Sequence, residues 1–153
     1  MKRHSIILLL IACLSIGCED TNFRSSVPNV PVSYDLYITR EHPNFIIDNF
    51  NFATMTITEH KFEHEYIGYA GLLIWIGMDG HYHAADLCCP HCLKPKMPVS
   101  IDGIFAVCPL CDEHFDLSHG YAVPTKGITR EPLRKYQALT QQKATGLILR
   151  ITN

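Results

Sequence analysis

Two short cysteine clusters in the second half of the chain constrain its folding more than any other feature. The first is Cys88-Cys89-Pro90-His91-Cys92 and the second is Cys108-Pro109-Leu110-Cys111, with fifteen residues between them. Each cluster places soft ligand atoms two or three positions apart, so one tight loop can direct two side chains toward the same ion. Two such loops face to face form a four-ligand site of the kind that zinc and iron–sulfur clusters occupy. The spacing therefore predicts a metal site between two loops.

The N-terminal residues have the pattern of an export signal. Lys2 and Arg3 form a short positive region, and Ile6 to Leu14 is an apolar run too short to span a bilayer. Ser15-Ile16-Gly17-Cys18 then resembles a bacterial lipoprotein processing site, in which the cysteine receives the lipid. We expect residues 1–17 to be a lipoprotein signal peptide. An ordinary cleaved signal peptide is the alternative.

The same pattern predicts the domain organisation and the location of the protein. Lipidated Cys18 would begin a tether over residues 18–31, followed by one domain over residues 32–153. The protein is then expected in the bacterial cell envelope, held to the membrane by its lipid and facing the periplasm or the cell surface. We expect the protein to contact the membrane through this N-terminal lipid anchor.

Charge and motif content exclude several function classes. The formal net charge is −2 and no basic run is present, which argues against nucleic acid as a partner. No nucleophile elbow, phosphate-binding glycine loop or catalytic carboxylate pair is found. The sequence therefore favours a protein that is not an enzyme.

The body of the chain has the periodicity of β-strands. Apolar or alternating runs are separated by turn residues such as Asp79-Gly80 and Asp102-Gly103, which are strong hairpin signals. Met55 to Thr58 alternates as an edge strand does. Four successive hairpins are predicted, between Leu72–Ile76 and Tyr82–Ala85, Val99–Ser100 and Ile104–Val107, Phe115–Leu117 and Tyr121–Val123, and Arg134–Leu139 and Leu147–Ile151. Four hairpins in a row predict a β-meander and an all-β fold class, with each cysteine cluster just beyond a strand end.

From Gly68 to Ile151 these residues resemble a Rieske domain. That family carries Cys-x-His and Cys-x-x-His on two loops, and Cys89-Pro90-His91 and Cys108-Pro109-Leu110-Cys111 stand at the corresponding positions. Neighbouring segments are similar as well, among them Tyr82 to Asp86 and Phe115-Asp116-Leu117. The resemblance implies a Rieske-like antiparallel β-sandwich with a small two-loop metal-binding subdomain, whose loops span residues 86–115.

The resemblance also implies a ligand set for a 2Fe–2S cluster. Cys89 and Cys108 would bind one iron, while His91 and Cys111 would bind the other. Cys111 stands where the family has its second histidine, and a thiolate in place of an imidazole adds negative charge that lowers the reduction potential. His114 is an alternative ligand, but it lies three residues beyond Cys111 and requires a differently shaped loop.

Two other interpretations of the cysteines need no family. Cys89-x-x-Cys92 with Cys108-x-x-Cys111 is also a four-cysteine zinc spacing, in which Cys92 replaces His91 as a ligand. Exported cysteines can instead pair as disulfides, leaving no cofactor. Lys2-Arg3-His4 is not a twin-arginine signal, and this counts against export of a preassembled cluster.

Two function hypotheses follow. The first is a one-electron carrier with a 2Fe–2S cluster and an unidentified redox partner protein. The second is a degenerate Rieske-fold module in which zinc or disulfides brace the loops, with a non-redox binding or assembly role.

Overall fold

The computed structural model describes residues 25–48 and 51–153, and these residues form an almost entirely β structure. Its helical content is one short α-helix and one 3₁₀ turn in the described residues. The elements are β1 (Val32–Tyr37), α1 (Ile38–Glu41), a 3₁₀ turn (Pro43–Phe45), β2 (Ala53–Ile57), β3 (Tyr66–Ile67), β4 (Leu72–Ile76), β5 (Tyr82–Asp86), β6 (Ser100–Asp102), β7 (Phe105–Val107), β8 (His114–Asp116), β9 (Val123–Lys126), β10 (Lys135–Lys143) and β11 (Gly146–Thr152). The predicted all-β fold class is confirmed.

The strands form two antiparallel sheets. The large sheet has seven strands in the order β2-β4-β5-β10-β11-β1-β3, and the small sheet has four in the order β6-β7-β8-β9. The chain leaves the large sheet after β5, builds the whole small sheet, and returns to pair β10 with β5. The small sheet is therefore an insertion between β5 and β10, and both cysteine clusters lie within this insertion.

One prediction about strand arrangement is wrong. The four hairpins do not form one continuous meander, because the two middle ones belong to the small sheet and the two outer ones to the large sheet. Pairing of Tyr136 with Ala84, distant in sequence, joins the outer hairpins directly. The edge position of β2 agrees with the prediction from Met55 to Thr58.

Strand β4 explains how the two sheets share a core. Its side chains are all buried, and they alternate between two hydrophobic clusters. Leu72, Ile74 and Ile76 pack into the cluster within the large sheet. Leu73 and Trp75 pack into the second cluster, which the small sheet covers. A strand that is buried on both faces reads as a continuous apolar run, and this is what residues 72–76 show.

Strand β1 was not predicted, although its signal is present. Val32, Tyr34 and Leu36 are buried and alternate with more exposed residues, which is the period of a half-buried strand. Its neighbour β11 pairs with it over five residues. The short α1 helix that follows was not predicted either, because four residues are too few to establish helical periodicity.

Candidate metal site

Each cysteine cluster follows the end of a strand, as the sequence predicted. Cys88 and Cys89 come directly after β5 and Leu87, and Cys108 follows β7 at once. The first loop is fixed by two backbone hydrogen bonds: the Leu87 amide donates to Gly71 at 3.0 Å, and the Val99 amide donates to Leu87 at 2.9 Å. The two sheets therefore present the loops to each other.

The two loops have matching backbone conformations. The Leu93 amide donates to the Cys89 carbonyl at 3.0 Å, and the Asp112 amide donates to the Cys108 carbonyl at 3.0 Å. Leu93 and Asp112, each directly after its second cysteine, have φ of 53° and 57°. Non-glycine residues rarely adopt this left-handed conformation, which persists only where the surroundings enforce it. The chain thus builds the same strained turn twice, once for each pair of cysteines.

The turns bring four sulfur atoms together. The Sγ atoms of Cys89, Cys92, Cys108 and Cys111 all lie within 4.8 Å of one another. Two contacts between the loops, from Cys89 to Cys111 and from Cys92 to Cys108, have sulfur–sulfur distances of 3.8 Å. A tetrahedron of sulfurs around zinc, with bonds of about 2.3 Å, has edges of about 3.8 Å. The arrangement therefore fits a bound metal ion.

None of the five cysteines in the described residues is bridged. Cys88, Cys89, Cys92, Cys108 and Cys111 are all free thiols. The 3.8 Å sulfur separations are well beyond the length of a disulfide bond, which is about 2.05 Å. Cys88 stands apart from the four-sulfur group, with its thiol directed to the Cys89 carbonyl at 3.6 Å.

The charge on the four sulfurs depends on whether a cation is bound. Burial raises the pKa of the Cys92 thiol to about 12, and burial also raises the pKa of Cys89. Burial acts in the same direction on Cys108, but hydrogen bonds from the Leu110 and Cys111 amides outweigh it and lower its pKa. Four neighbouring thiolates repel one another, so without a cation they are not all ionised at neutral pH. A divalent metal reverses this balance.

The predicted histidine ligands lie at different places. His91 belongs to a second group of possible metal ligands, together with Cys111 and Glu113. The ligand atoms of these three residues also lie within 4.8 Å of one another. His114 points its Nε2 to the Asp112 carboxylate at 3.0 Å and belongs to neither group. Three of the four predicted cluster ligands, Cys89, Cys108 and Cys111, therefore lie together. The fourth ligand beside them is Cys92, as in the zinc interpretation, and not His91.

Sequence reasoning assigned Glu113 only to the electrostatics of the second loop tip and gave no structural role to Asp86, although both carboxylates are buried beside the loops. Asp86 is fully buried and accepts hydrogen bonds from the Tyr69, Ala70 and Cys88 amides and from the Tyr136 hydroxyl, at 2.7 to 3.1 Å. Its position at the end of a buried strand, directly before the cysteines, was the available signal. Glu113 is 1% exposed beside the second loop. Its neighbour Asp112 is exposed, and nothing in the sequence distinguishes the two.

Comparison with family models, curated proteins and solved structures found no match. The described residues contain no helix that is long and apolar enough to cross a membrane. The predicted lipidation site Cys18 and residues 1–24 lie outside the described part of the chain, so the signal peptide and the anchor stay predictions. The chain is therefore an all-β protein with a cysteine site that could hold a metal ion or cluster.

Proposed function

We propose that Cys89, Cys92, Cys108 and Cys111 bind one zinc ion that braces the two loops of a non-redox binding or assembly module. The observation that carries this proposal is the mutual approach of all four sulfurs to within 4.8 Å. One metal atom can contact four atoms this close together. A two-iron cluster needs wider spacing between its two ligand pairs, because two metal atoms stand between them.

Zinc fits this donor set for chemical reasons. Four thiolates in a tetrahedron form a closed structural site, with no position left for water or substrate. Zinc has no redox chemistry and needs no assembly machinery, so a chain exported unfolded can acquire it after folding. The ion would stabilise the domain and leave its surface to make the functional contacts.

A second candidate is the 2Fe–2S electron carrier with Cys89, His91, Cys108 and Cys111 as ligands. Burial favours it: Cys89 and Cys108 are each 1% exposed, whereas Cys111 is half-buried and His91 is exposed. One pair would hold an inner iron and the other an outer iron near the surface. That division would suit electron exchange with a partner protein.

We also propose that Cys18 carries a lipid and that the domain acts in the bacterial envelope. Part of the expected tether packs on the domain: Val27 is 1% exposed, and Arg134 donates to the Val27 carbonyl at 2.9 Å and to Asn29 at 2.6 Å. Six residues, 19–24, separate Cys18 from Ser25. They can extend about 20 Å at most, so the domain would stay close to the membrane.

Metal analysis of the full chain distinguishes the zinc site from the 2Fe–2S cluster. The chain is expressed with its native leader, extracted in detergent, and assayed for zinc, iron, acid-labile sulfide and visible absorption. We expect one zinc per chain, no sulfide and no visible bands. Equal iron and sulfide with bands that bleach on reduction would establish the second candidate instead. A metal-free protein with paired cysteines would overturn both.

Thiol alkylation provides a second readout of the same sample. Burial raises the pKa of Cys88 to about 12, so this thiol is expected to resist iodoacetamide. With zinc bound, the four ligands should be protected as well. After chelation we expect the half-buried Cys92 and Cys111 to react before the three buried cysteines. Reaction of all five before chelation would contradict a metal-bound site.

A further inference from the structure

Glu113 is a buried carboxylate with one unused oxygen. Its Oε1 accepts hydrogen bonds from the Ile128 amide at 2.6 Å and the Thr129 amide at 2.9 Å. Its Oε2 is buried and has no hydrogen-bond partner within residues 25–48 and 51–153. The backbone at Gly127 approaches so closely that a Cβ there would collide with the carboxyl group. A buried carboxylate oxygen without a partner is costly, and such a site calls for a ligand.

The residues facing Glu113 are themselves metal ligands by type. His91 places Nδ1 3.9 Å from Glu113 Oε1, and its side chain is 40% exposed. Cys111, half-buried, completes the group, with the three ligand atoms within 4.8 Å of one another. An imidazole, a carboxylate and a thiolate make up a mixed donor set suited to zinc and neighbouring divalent metals.

The local charge favours a second cation. Four thiolates around one divalent ion leave a net charge of about −2, and Glu113 adds another negative charge beside them. Among the described residues, His91 is the only basic side chain with a nitrogen within 4.0 Å of the Glu113 carboxylate, and no Lys or Arg reaches it. Lys126, the nearest cationic side chain on β9, binds Asp112 instead.

We propose that His91, Cys111 and Glu113 bind a second divalent metal ion, with the Cys111 thiolate bridging the two ions. This proposal rests on the proposed function, since it takes the first ion to be bound by the four cysteines. Three protein ligands leave one tetrahedral position for water, as in sites that bind or activate small ligands. The second site is open to solvent on the His91 side, unlike the closed first site.

Cobalt titration of the zinc-loaded full chain tests the second site. Co²⁺ is added to detergent-extracted protein, and bound cobalt, retained zinc and the cobalt absorption bands are measured. We expect one Co²⁺ to bind with tetrahedral bands and thiolate charge transfer while one zinc per chain is retained. His91→Ala should weaken this binding at least about tenfold, because even the loss of an outer-shell partner of a metal ligand costs that much. Glu113→Gln, which preserves an acceptor for the two amides, should weaken it similarly.

A matched control uses another exposed histidine. His81 has a side chain 76% exposed and lies outside both cysteine loops, so His81→Ala should leave cobalt binding unchanged. A zinc-loaded chain that takes up no cobalt, or binds it equally in His91→Ala, would overturn the second site and leave the first intact. Cobalt uptake only with matching loss of zinc would overturn it as well. A chain that lacks the first zinc would instead refute the proposed function.

Discussion

The two sheets are stabilised by different means. In the large sheet, β10 and β11 are nine and seven residues long and pair over seven residues, around a core of aliphatic and aromatic side chains. In the small sheet, β6, β7 and β8 have three residues each. The core beneath them includes Cys89 and Cys108 in place of larger hydrocarbon side chains. Strands this short are not stable alone, so the small sheet depends on its packing against β4, and a metal bound by the four cysteines would stabilise it further.

The contrast indicates how the domain divides its tasks. The large sheet has its own hydrocarbon core, and the insertion carries the four cysteines on loops that a bound metal would fix. If zinc binding contributes to folding, it should do so locally. Each prediction below perturbs one region and measures the response of the other.

The largest effect is expected from removal of a buried ligand. Cys108→Ser should abolish zinc binding, because zinc at structural thiolate sites contributes on the order of 10 kcal/mol and a hydroxyl replaces the thiolate poorly. Amide exchange in β6 to β9 should become fast, while β10 and β11 keep their protection. Hydrogen exchange with mass spectrometry measures both. Cys88→Ser is the matched control, since Cys88 is equally buried but outside the sulfur group, and it should retain zinc.

Substitutions on the two faces of β4 compare the stability of the two sheets without changing the cysteine site. Trp75 is fully buried under the small sheet and donates from Nε1 to the His119 carbonyl at 3.3 Å. Trp75→Ala should cost about 3–5 kcal/mol and loosen the small sheet first. Ile74→Ala, on the opposite face, should cost about 2–5 kcal/mol and lower the stability of the large sheet. Chemical denaturation with exchange protection distinguishes them; identical exchange patterns would contradict two separable cores.

These regions also differ in how well the sequence predicted them. Turn signals and apolar runs sufficed for the hairpin strands of both sheets, although β1 and β3 of the large sheet were not predicted. In the turn between Asp102 and Phe105, Gly103 has the positive φ of 56° that favours glycine at a tight hairpin turn. These signals could not assign hairpins to sheets, because a period of two does not specify which strand is the neighbour. That information lies in the pairing of β5 with β10, between residues about fifty positions apart in sequence.

The cysteine site was predictable in composition but not in detail. Spacing identified the four cysteines as a group, yet His91 and Cys92 are adjacent and either could reach a metal. The left-handed turn at Leu93 accompanies the loop conformation that brings the Cys92 sulfur to the other three. No residue-type rule predicts this conformation at a leucine. The burial of Glu113 was unpredictable for a similar reason, since it depends on how residues 127–129 wrap around its carboxyl group.

A moderate effect is expected at Asp86, where the two regions join. Its carboxylate holds the Cys88 amide of the first loop at 2.8 Å and the Tyr136 hydroxyl of β10 at 2.7 Å. Asp86→Asn replaces one acceptor oxygen by an amide NH₂ donor, although all the groups around this side chain are donors. The variant should therefore lose about 1–3 kcal/mol of unfolding free energy and retain zinc less well. Tyr136→Phe removes one donor only and should cost less. Urea denaturation measures both; an Asp86→Asn variant as stable as wild type would show that the carboxylate does not support the loop.

The smallest effect is expected at an ion pair of the large sheet far from the cysteines in sequence. Asp35 on β1 accepts from Arg150 on β11, with Nε and Nη2 at 2.8 and 2.7 Å, and these hydrogen bonds lower the pKa of Asp35. Both side chains are partly exposed, so Asp35→Asn should cost under about 1 kcal/mol. A lowered pKa stabilises the fold above the ordinary value of 3.8, and this contribution disappears as the pH falls through the lowered value. The stability difference between wild type and variant, measured by urea denaturation, should therefore shrink on acidification. Asp102→Asn is the matched control, because Asp102 is exposed and forms no ion pair with another described residue.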